Sequence, residues 1–301
     1  MKQSKQILVI LMTCVAVVCL MGAVILLFKY AKEDMQLEAS MEEYRPVIAE
    51  KLEPTQAPAT MPTPESITPP PAETLPPPAT EVPPAPTAEP TPEPVPNPYA
   101  ESYLANEDMA GWLVIPGMVI DYPIMWTPED ENYYLRRGFD KKKLSAGCLI
   151  LDTDSCVDPL STNLIIHGHN MKAGTMFGTL EKYKNEDFYQ EHKQIILHTK
   201  ECQRNYEVIA VFRSQVYKKS DKVFKFYKFF QANTEEEFND FYDNIKAMSL
   251  YDTGVTATFG DRFITLSTCS YHVDNGRFVV VAKEVAPGDT YLPVEESLAP
   301  Q

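Results

Sequence analysis

A proline-rich segment most constrains this chain, because residues 54–98 hold 18 of its 26 prolines. Proline lacks a backbone N–H and fixes φ, so such a dense run cannot form a helix, a sheet or a hydrophobic core. We therefore expect a disordered, extended polyproline II linker that would span roughly 140 Å if straight, at about 3.1 Å per residue. The folded domain is predicted to occupy residues 99–301, and the linker would hold it far from whatever anchors the N-terminus.

An uncharged apolar run near the N-terminus predicts a membrane anchor. It extends from Ile7 to Phe28, 22 residues that would form a helix about 33 Å long, enough to cross a bilayer core of about 30 Å. The run is longer than the apolar region of a cleaved signal peptide, and no small-residue cleavage site follows it. We predict an uncleaved transmembrane helix over residues 7–28.

The flanks of this span bear on its orientation. Lysines lie on both sides of it, so the positive-inside bias is weak. We place the short N-terminus, residues 1–6, in the cytoplasm and the large C-terminal domain outside the cell. Residues 29–53 are rich in helix formers and acids but carry only a thin apolar stripe, which predicts a juxtamembrane segment of marginal order.

Charge and cysteine spacing exclude several classes of function. The net charge is −15, and residues 99–301 contribute −9 of it (21 basic, 30 acidic) without a basic stripe, so nucleic acid is not an expected partner. The six cysteines include no C-x-x-C, and the H-x-H pair of His167 and His169 has no further ligand nearby, so we predict no metal. Cys148 is predicted to be a buried strand residue, and its pairing with Cys156 is left open.

Short apolar runs bounded by Gly, Asn, Asp and Pro predict about eight strands after residue 110, and therefore a mainly β sandwich or barrel. Residues 234–248 predict a helix with an apolar face, in which Thr234 and Glu237 form a capping-box pattern. A second helical stretch is predicted over residues 173–183. The strand segments are GWLVIPG, MVIDYPI, GCLILD, NLIIHGH, KQIILHT, NYEVIAVF, RFITLSTC and RFVVVAKEV.

Strand alternation bears on the role of Cys269 in the segment RFITLSTC. Side chains alternate between the two faces of a strand, and Ile264 and Leu266 mark the core face. Cys269 then lies on the other face with Ser267, which favours a thiol that opens into a cleft over a buried structural cysteine. A nucleophilic cysteine also needs a base or a cationic neighbour to reach its thiolate form near neutral pH.

Four residues could supply that help. His169 and His167 end the apolar segment NLIIHGHNM, and strand ends are common sites of catalysis. His272 lies three residues after Cys269, but a strand-to-loop connection rarely aims both side chains at one point. Arg277 begins the last predicted strand and could stabilise a thiolate or an oxyanion, or could be a surface arginine. The remaining histidines, His192 and His198, lie in a charged stretch and are expected to face solvent.

Together these motifs resemble the sortases of Gram-positive bacteria. The resemblance rests on TLSTC followed by an arginine eight residues on, with GHNM about a hundred residues upstream. The segments GWLVIPGMVIDYPIMW, YYLRRGFDKKKLSAGCLILD and NLIIHGHNMKAGTMFGTLEKY resemble the class B branch. The resemblance covers about residues 99–286 and does not include the proline-rich linker.

The resemblance implies a fold and a set of site residues. The fold would be a closed eight-stranded sortase-type β-barrel with peripheral helices, one of them between the sixth and seventh strands. The family's nucleophile falls on Cys269, its histidine on His169 and its arginine on Arg277. The residues expected to contact substrate are Ser267, Thr268, Tyr134 and Leu135. The family often has Asn-Asp before the YYL segment, where this chain has Glu131-Asn132.

The resemblance also implies a reaction and a location. The enzyme would be a membrane-anchored cysteine transpeptidase that cleaves a C-terminal sorting signal after Thr, without a cofactor. It would join the surface protein to an amine of a peptidoglycan peptide or of its lipid-linked precursor, with its catalytic domain facing the cell wall. The alternatives are a pilus-polymerising sortase that uses a pilin lysine and a non-catalytic, wall-spanning binding module.

Overall fold

The computed structural model describes residues 2–42, 44–45 and 93–298, so most of the predicted linker lies outside the described residues. The helices are α1 (Lys2–Glu42), α2 (Ala100–Ala105), α3 (Glu186–Glu191), α4 (Glu235–Met248) and α5 (Val294–Ser297). The strands are β1 (Met109–Val114), β2 (Asp121–Met125), β3 (Leu149–Leu151), β4 (Asn163–Gly168), β5 (Gln194–His198), β6 (Cys202–Gln215), β7 (Phe263–Cys269) and β8 (Gly276–Thr290).

The eight strands close into a barrel in the order β1-β2-β3-β4-β7-β8-β6-β5, with β5 returning to β1. The β2–β3 and β4–β7 pairs are parallel and the other pairs are antiparallel. Because the barrel is closed, each of these strands has a paired neighbour on both sides. The predicted eight-stranded barrel is confirmed, and each of the eight predicted segments supplies one strand.

Helix α4 covers part of the outer face of the barrel. Its side chains Phe238, Phe241 and Ile245 are buried against the outward-facing residues of β7 and β8, including Phe263. The Thr234 hydroxyl accepts a hydrogen bond from the Glu237 backbone N–H at 3.2 Å, so the predicted helix cap is present. The helix lies between the sixth and seventh strands, as the resemblance implied.

The helix predicted over residues 173–183 is largely wrong. Only Leu180–Lys184 is helical there, as a short 3₁₀ turn. Gly174 has a φ of +89°, a left-handed conformation that interrupts a right-handed helix. The apolar residues of this segment, Met176, Phe177 and Leu180, are nevertheless fully buried in the core.

Helix α1 is longer than the predicted span, and its C-terminal end packs against the barrel. Among the described residues it is long and apolar enough to cross a membrane, a property that an anchor and a signal sequence share. Beyond the apolar run, Leu37 and Met41 are buried in the same core cluster as the barrel residues. The sequence predicted marginal order here because the apolar stripe is thin. The few apolar residues of this segment are buried by contact with the barrel and not by a stripe of their own helix.

Polar and aromatic contacts continue this packing beyond α1. The Tyr44 ring lies 4.5 Å from the Phe139 ring, and the Tyr44 carbonyl accepts a hydrogen bond from Ser102 Oγ at 2.8 Å. Arg45 Nε lies 3.4 Å from Asp121 Oδ2, and Asp121 Oδ1 accepts the indole N–H of Trp112 at 2.6 Å. A buried indole donor and a guanidinium therefore meet at one carboxylate.

The chain meets the barrel again at Val95. Its N–H donates to the Thr290 carbonyl at 2.9 Å, and its carbonyl accepts from the Leu292 N–H at 2.8 Å. Residues before and after the undescribed part of the proline-rich segment therefore both contact the barrel, Leu37 on one side and Val95 on the other. The burial partners of Leu37 lie far away in the sequence, so its local apolar pattern did not indicate this contact.

The buried positions of α1 should matter for stability. Leu37→Ala combined with Met41→Ala removes two fully buried side chains, and the full chain in detergent should unfold at least about 5 °C lower. The matched control is Met35→Ala on the same helix, where the side chain is 67% exposed. Thermal unfolding followed by circular dichroism measures both. Equal unfolding temperatures in the double variant and the control would show that the docked end of α1 adds nothing.

Candidate active site

A cavity of about 290 Å³ opens on the outer face of the barrel, across β3, β4, β7 and β8. On β7, Ile264 and Leu266 face the core, and the cavity is lined by residues of the opposite face, such as Ser267 and Cys269. Leu135, Cys148 and Glu131 also line the cavity. The polar lining residues on the four strands and directly after them are Asp152, His167, His169, Ser267, Thr268, Cys269 and Arg277.

Cys269 and Arg277 are direct neighbours across the β7–β8 hairpin. Cys269 is the last residue of β7 and is paired in register with Arg277. The spacing of eight residues therefore comprises the turn 270–275 and the first two residues of β8. The Cys269 side chain is exposed, as strand alternation predicted.

The Arg277 guanidinium is held by its own turn. Its Nη1 donates to the carbonyls of Gly276 at 3.1 Å and Asn275 at 3.3 Å. In the part of the chain that the structure describes, no carboxylate forms an ion pair with it. The remaining N–H donors of its planar fork are therefore available to a group bound in the cavity.

His169 lies beside Cys269, directly after the strand that pairs in parallel with β7. The last registered pair of β4 and β7 is Gly168 with Thr268, so the next residues, His169 and Cys269, are adjacent. The Thr268 hydroxyl donates to the Gly168 carbonyl at 2.8 Å, and Asn170 Nδ2 donates to the Cys269 carbonyl at 2.7 Å. These two hydrogen bonds fix the strand ends that carry the histidine and the thiol.

The orientation of the His169 ring is set by a backbone carbonyl. Its Nε2 lies 2.9 Å from the oxygen of Leu135. A carbonyl can only accept, so Nε2 carries the proton, and Nδ1 of the neutral ring is left as an acceptor. The backbone of Leu135 therefore contacts the His169 ring, and Leu135 also lines the cavity.

A second histidine lines the same cavity and is bound to a carboxylate. His167 Nε2 lies 3.0 Å from Asp152 Oδ2, while Asp152 Oδ1 accepts the Asp154 N–H at 3.1 Å. Burial opposes ionisation of Asp152, but these two hydrogen bonds outweigh it and hold the pKa of the Asp152 carboxyl below its ordinary value. No local sequence pattern predicts this pair, because Asp152 lies 15 residues before His167 and follows a different strand.

Of the four residues predicted to contact substrate, three line the cavity and one does not. Ser267, Thr268 and Leu135 line the cavity. Tyr134 does not: its side chain is fully buried, and its hydroxyl donates to Asp108 Oδ2 at 2.7 Å. It lies on the 3₁₀ turn Tyr133–Arg136, in which successive side chains point about 120° apart, so Tyr134 is buried while Leu135 lines the cavity.

The remaining histidines lie outside the cavity. His272 Nδ1 is 3.1 Å from the Ser270 hydroxyl in the β7–β8 turn, and His192 Nδ1 is 2.9 Å from the Phe188 carbonyl. The prediction that His198 faces solvent is wrong. It is buried on β5 with its Nδ1 2.6 Å from the Tyr291 hydroxyl, and burial lowers the pKa of His198 to about 4.

Cys148 is buried, as predicted, and burial raises the pKa of its thiol well above the ordinary range. Among the described cysteines, Cys148 and Cys156 are both free, so the structure holds no disulfide between them. Within the described ranges, no group of three or more His, Cys, Asp or Glu side chains comes together as metal ligands. Residues suited to covalent chemistry on an acyl group, a thiol, an imidazole and a guanidinium, do meet in one cavity.

The chain matches known proteins over the barrel. The family model described as the sortase domain matches residues 113–285. Sortase B of Listeria monocytogenes is 34% identical over 186 residues, covering 60% of this chain and 71% of that protein. Sortase B of Staphylococcus aureus is 30% identical over 183 residues, covering 59% and 70%.

Solved structures agree with these matches. A Staphylococcus aureus sortase B–substrate complex superposes with a TM-score of 0.57 at 28% identity, covering 64% of this chain and 88% of that one. Sortase B from Bacillus anthracis in complex with AAEK1 gives a TM-score of 0.54 at 32% identity, covering 62% and 84%. The likeness therefore extends from sequence to three-dimensional structure.

The two thiols at the cavity should differ in reactivity. Cys269 is exposed, whereas Cys148 is buried with a raised pKa, and only a thiolate that the reagent can reach is alkylated. Iodoacetamide at pH 7.5 should modify Cys269 at least about tenfold faster than Cys148. Peptide mass spectrometry measures both rates, and labelling in urea supplies the control. Comparable rates in the folded protein would contradict the described burial.

Proposed function

The chain belongs to the sortase family, in its class B branch, and is a cysteine transpeptidase; from this we propose that it cleaves a C-terminal sorting signal after a threonine and joins the new carboxyl end to a cell-wall amine. The observation that carries the proposal is the meeting of Cys269, His169 and Arg277 in one open cavity. Strand register brings them together, so their positions depend on the barrel and not on flexible loops.

We assign the acylation step to these three residues. Cys269 Sγ attacks the threonine carbonyl, and Arg277 donates hydrogen bonds to the oxyanion that develops. The threonine–amine bond then breaks, and His169 gives a proton to the leaving amine. The product is a thioester between Cys269 and the threonine.

The second step reverses the roles. An incoming amine attacks the thioester, His169 removes a proton from it, and the Cys269 thiol is restored. Overall, one amide bond is broken and one is formed, so no external energy source or cofactor is required. Glu131 and Asp152 contribute negative charge to the cavity, which favours the approach of a positively charged amine.

The partners follow from the same proposal. The donors are surface proteins that carry a C-terminal sorting signal, and the acceptor is an amine of a peptidoglycan peptide or of its lipid-linked precursor. A relative, the Staphylococcus aureus sortase B, has been solved as a substrate complex, which supports a peptide-binding cavity in this family.

We also propose that α1 anchors the enzyme through residues 7–28, with the barrel outside the cell. Leu37 follows Phe28 by nine residues and is packed with the barrel core. At about 1.5 Å per helical residue, this contact lies about 14 Å beyond the apolar run. The barrel would then sit close to the membrane surface, where lipid-linked acceptors are found.

The test uses the full chain in detergent micelles, because α1 contributes buried residues to the barrel. A panel of NPxTN and xPxTG peptides is incubated with the enzyme and with either oligoglycine or a lysine-containing peptide as acceptor. Mass spectrometry should find cleavage after threonine and transfer to an acceptor amine. Transfer to the lysine peptide alone would indicate a pilus-type enzyme, and a lack of cleavage with every peptide would favour a binding module.

Single substitutions should separate the nucleophile and the base from bystanders. Cys269→Ala should abolish cleavage, and His169→Ala should lower turnover about 10²–10⁴-fold, the usual contribution of general acid–base catalysis. His272→Ala is the matched control, because its ring hydrogen-bonds Ser270 outside the cavity. An inactive His272→Ala variant beside an active His169→Ala variant would overturn the assignment of the base.

Arg277→Lys should separate charge from hydrogen-bond geometry. Lysine keeps the positive charge but loses the planar fork, so it should fail almost as badly as Arg277→Ala, by about 10²–10³-fold in kcat. Steady-state kinetics with the best peptide measures both variants. A lysine variant close to wild type would reduce Arg277 to a source of charge, and an unimpaired alanine variant would remove it from the mechanism.

A further inference from the structure

The cavity residue His167 has no part in the chemistry proposed above, and its partner Asp152 contributes only negative charge. His167 is paired in register with Ser267 on one side and with Ile150 on the other. This row of side chains lies one alternation, about 7 Å, before the row that holds His169 and Cys269. A substrate residue whose carbonyl carbon lies next to Cys269 Sγ can therefore place a short side chain beside His167 and Ser267.

The Ser267 hydroxyl is the unusual group of this row. It lines the cavity, its side chain is buried, and its Oγ has no hydrogen-bond partner among the described residues. The preceding residue on the same face, Thr265, is also buried, but its hydroxyl donates to Asn163 Oδ1 at 2.8 Å. Buried polar groups are ordinarily paired, so an unpaired hydroxyl that lines an open cavity indicates a partner supplied by the ligand.

His167 presents a complementary group. The carboxylate of Asp152 can only accept, so it fixes the proton on His167 Nε2 at 3.0 Å. In the neutral ring, Nδ1 is then an acceptor, and no residue in the described ranges donates to it. The row thus offers a donor at Ser267 and an acceptor at His167, with the apolar side chain of Ile150 beside them.

We propose that His167, oriented by Asp152, and Ser267 form the subsite that selects the side chain of the threonine at the scissile bond. The threonine hydroxyl donates to His167 Nδ1 and accepts from Ser267 Oγ, and its methyl group contacts Ile150. This inference rests on the proposed function, which supplies the threonine. His167 and Ser267 are binding residues in this account, and Asp152 is a positioning residue.

Valine has the shape of threonine but neither donates nor accepts a hydrogen bond. Bound in this subsite, it would leave the buried Ser267 hydroxyl and the His167 acceptor unpaired. Sites built to hydrogen-bond a substrate hydroxyl reject analogues that lack it, because the groups of the site then remain unsatisfied. The subsite therefore predicts discrimination between these two side chains, independent of the rest of the signal.

The experiment measures that discrimination in the full chain in detergent micelles. The substrates are the best-cleaved peptide of the NPxTN and xPxTG panel and the same peptide with valine in place of threonine. Wild type should prefer threonine roughly 100-fold in kcat/KM. His167→Phe keeps an aromatic ring without an acceptor and should reduce that ratio about tenfold or more, by weakening cleavage of the threonine peptide alone.

Three further variants make the outcome specific. Ser267→Ala should reduce the ratio in the same way, and Asp152→Asn should reduce it less, because the ring remains but is no longer held by a carboxylate. His192→Phe, remote from the cavity, is the control and should leave the ratio unchanged. The rate of Cys269 alkylation should be the same in His167→Phe as in wild type, which verifies that the fold and the thiol are intact.

Two results would overturn the inference while leaving the proposed function standing. One is an unchanged threonine-to-valine ratio in His167→Phe. The other is an equal loss with both peptides, which would make His167 a structural or acid–base residue. A wild-type enzyme that cleaves no peptide would overturn both the inference and the proposed function.

Discussion

The parallel pairing of β4 with β7 is the constraint on which the site depends. It aligns Gly168 with Thr268, and the antiparallel β7–β8 pair aligns Cys269 with Arg277. His169, Cys269 and Arg277, which lie on or directly after three neighbouring strands, are therefore held close together. A slip of one residue in β7 would turn its thiol to the opposite face, because successive side chains alternate. Barrel closure prevents such a slip by pairing every strand on both sides.

The elements that pack on the outer face of the barrel cover the first part of β7, and the cavity lies over the last part of this strand. At its start, Phe263 is covered by α4, and further along Thr265 is satisfied by Asn163. Ser267 and Cys269 continue the same face and line the cavity, Ser267 as a buried residue and Cys269 as an exposed one. One strand thus passes from a packed position at Phe263 to an exposed thiol at Cys269 over three alternations. The stability of the covered half supports the precise placement of the open half.

Much of the fold could be predicted from local pattern, since each strand carries its own apolar run and turn residues. The outward direction of Cys269 followed from alternation alone. Predictions failed where burial is supplied by distant residues. Leu37 is buried by the barrel, and His198 is buried beside Tyr291, 93 residues away. The His167–Asp152 pair was missed for the same reason, since its only local signal was the alternation of two histidines around a glycine.

The central claim is that Cys269 forms a thioester with the threonine of the cleaved peptide. The most direct test is mass spectrometry of the full chain, quenched with acid during turnover with the best peptide and no added acceptor. The account predicts a mass increase equal to the N-terminal peptide fragment minus water, mapped by digestion to Cys269. Peptide cleavage without this adduct, or an adduct on any other cysteine, would contradict it.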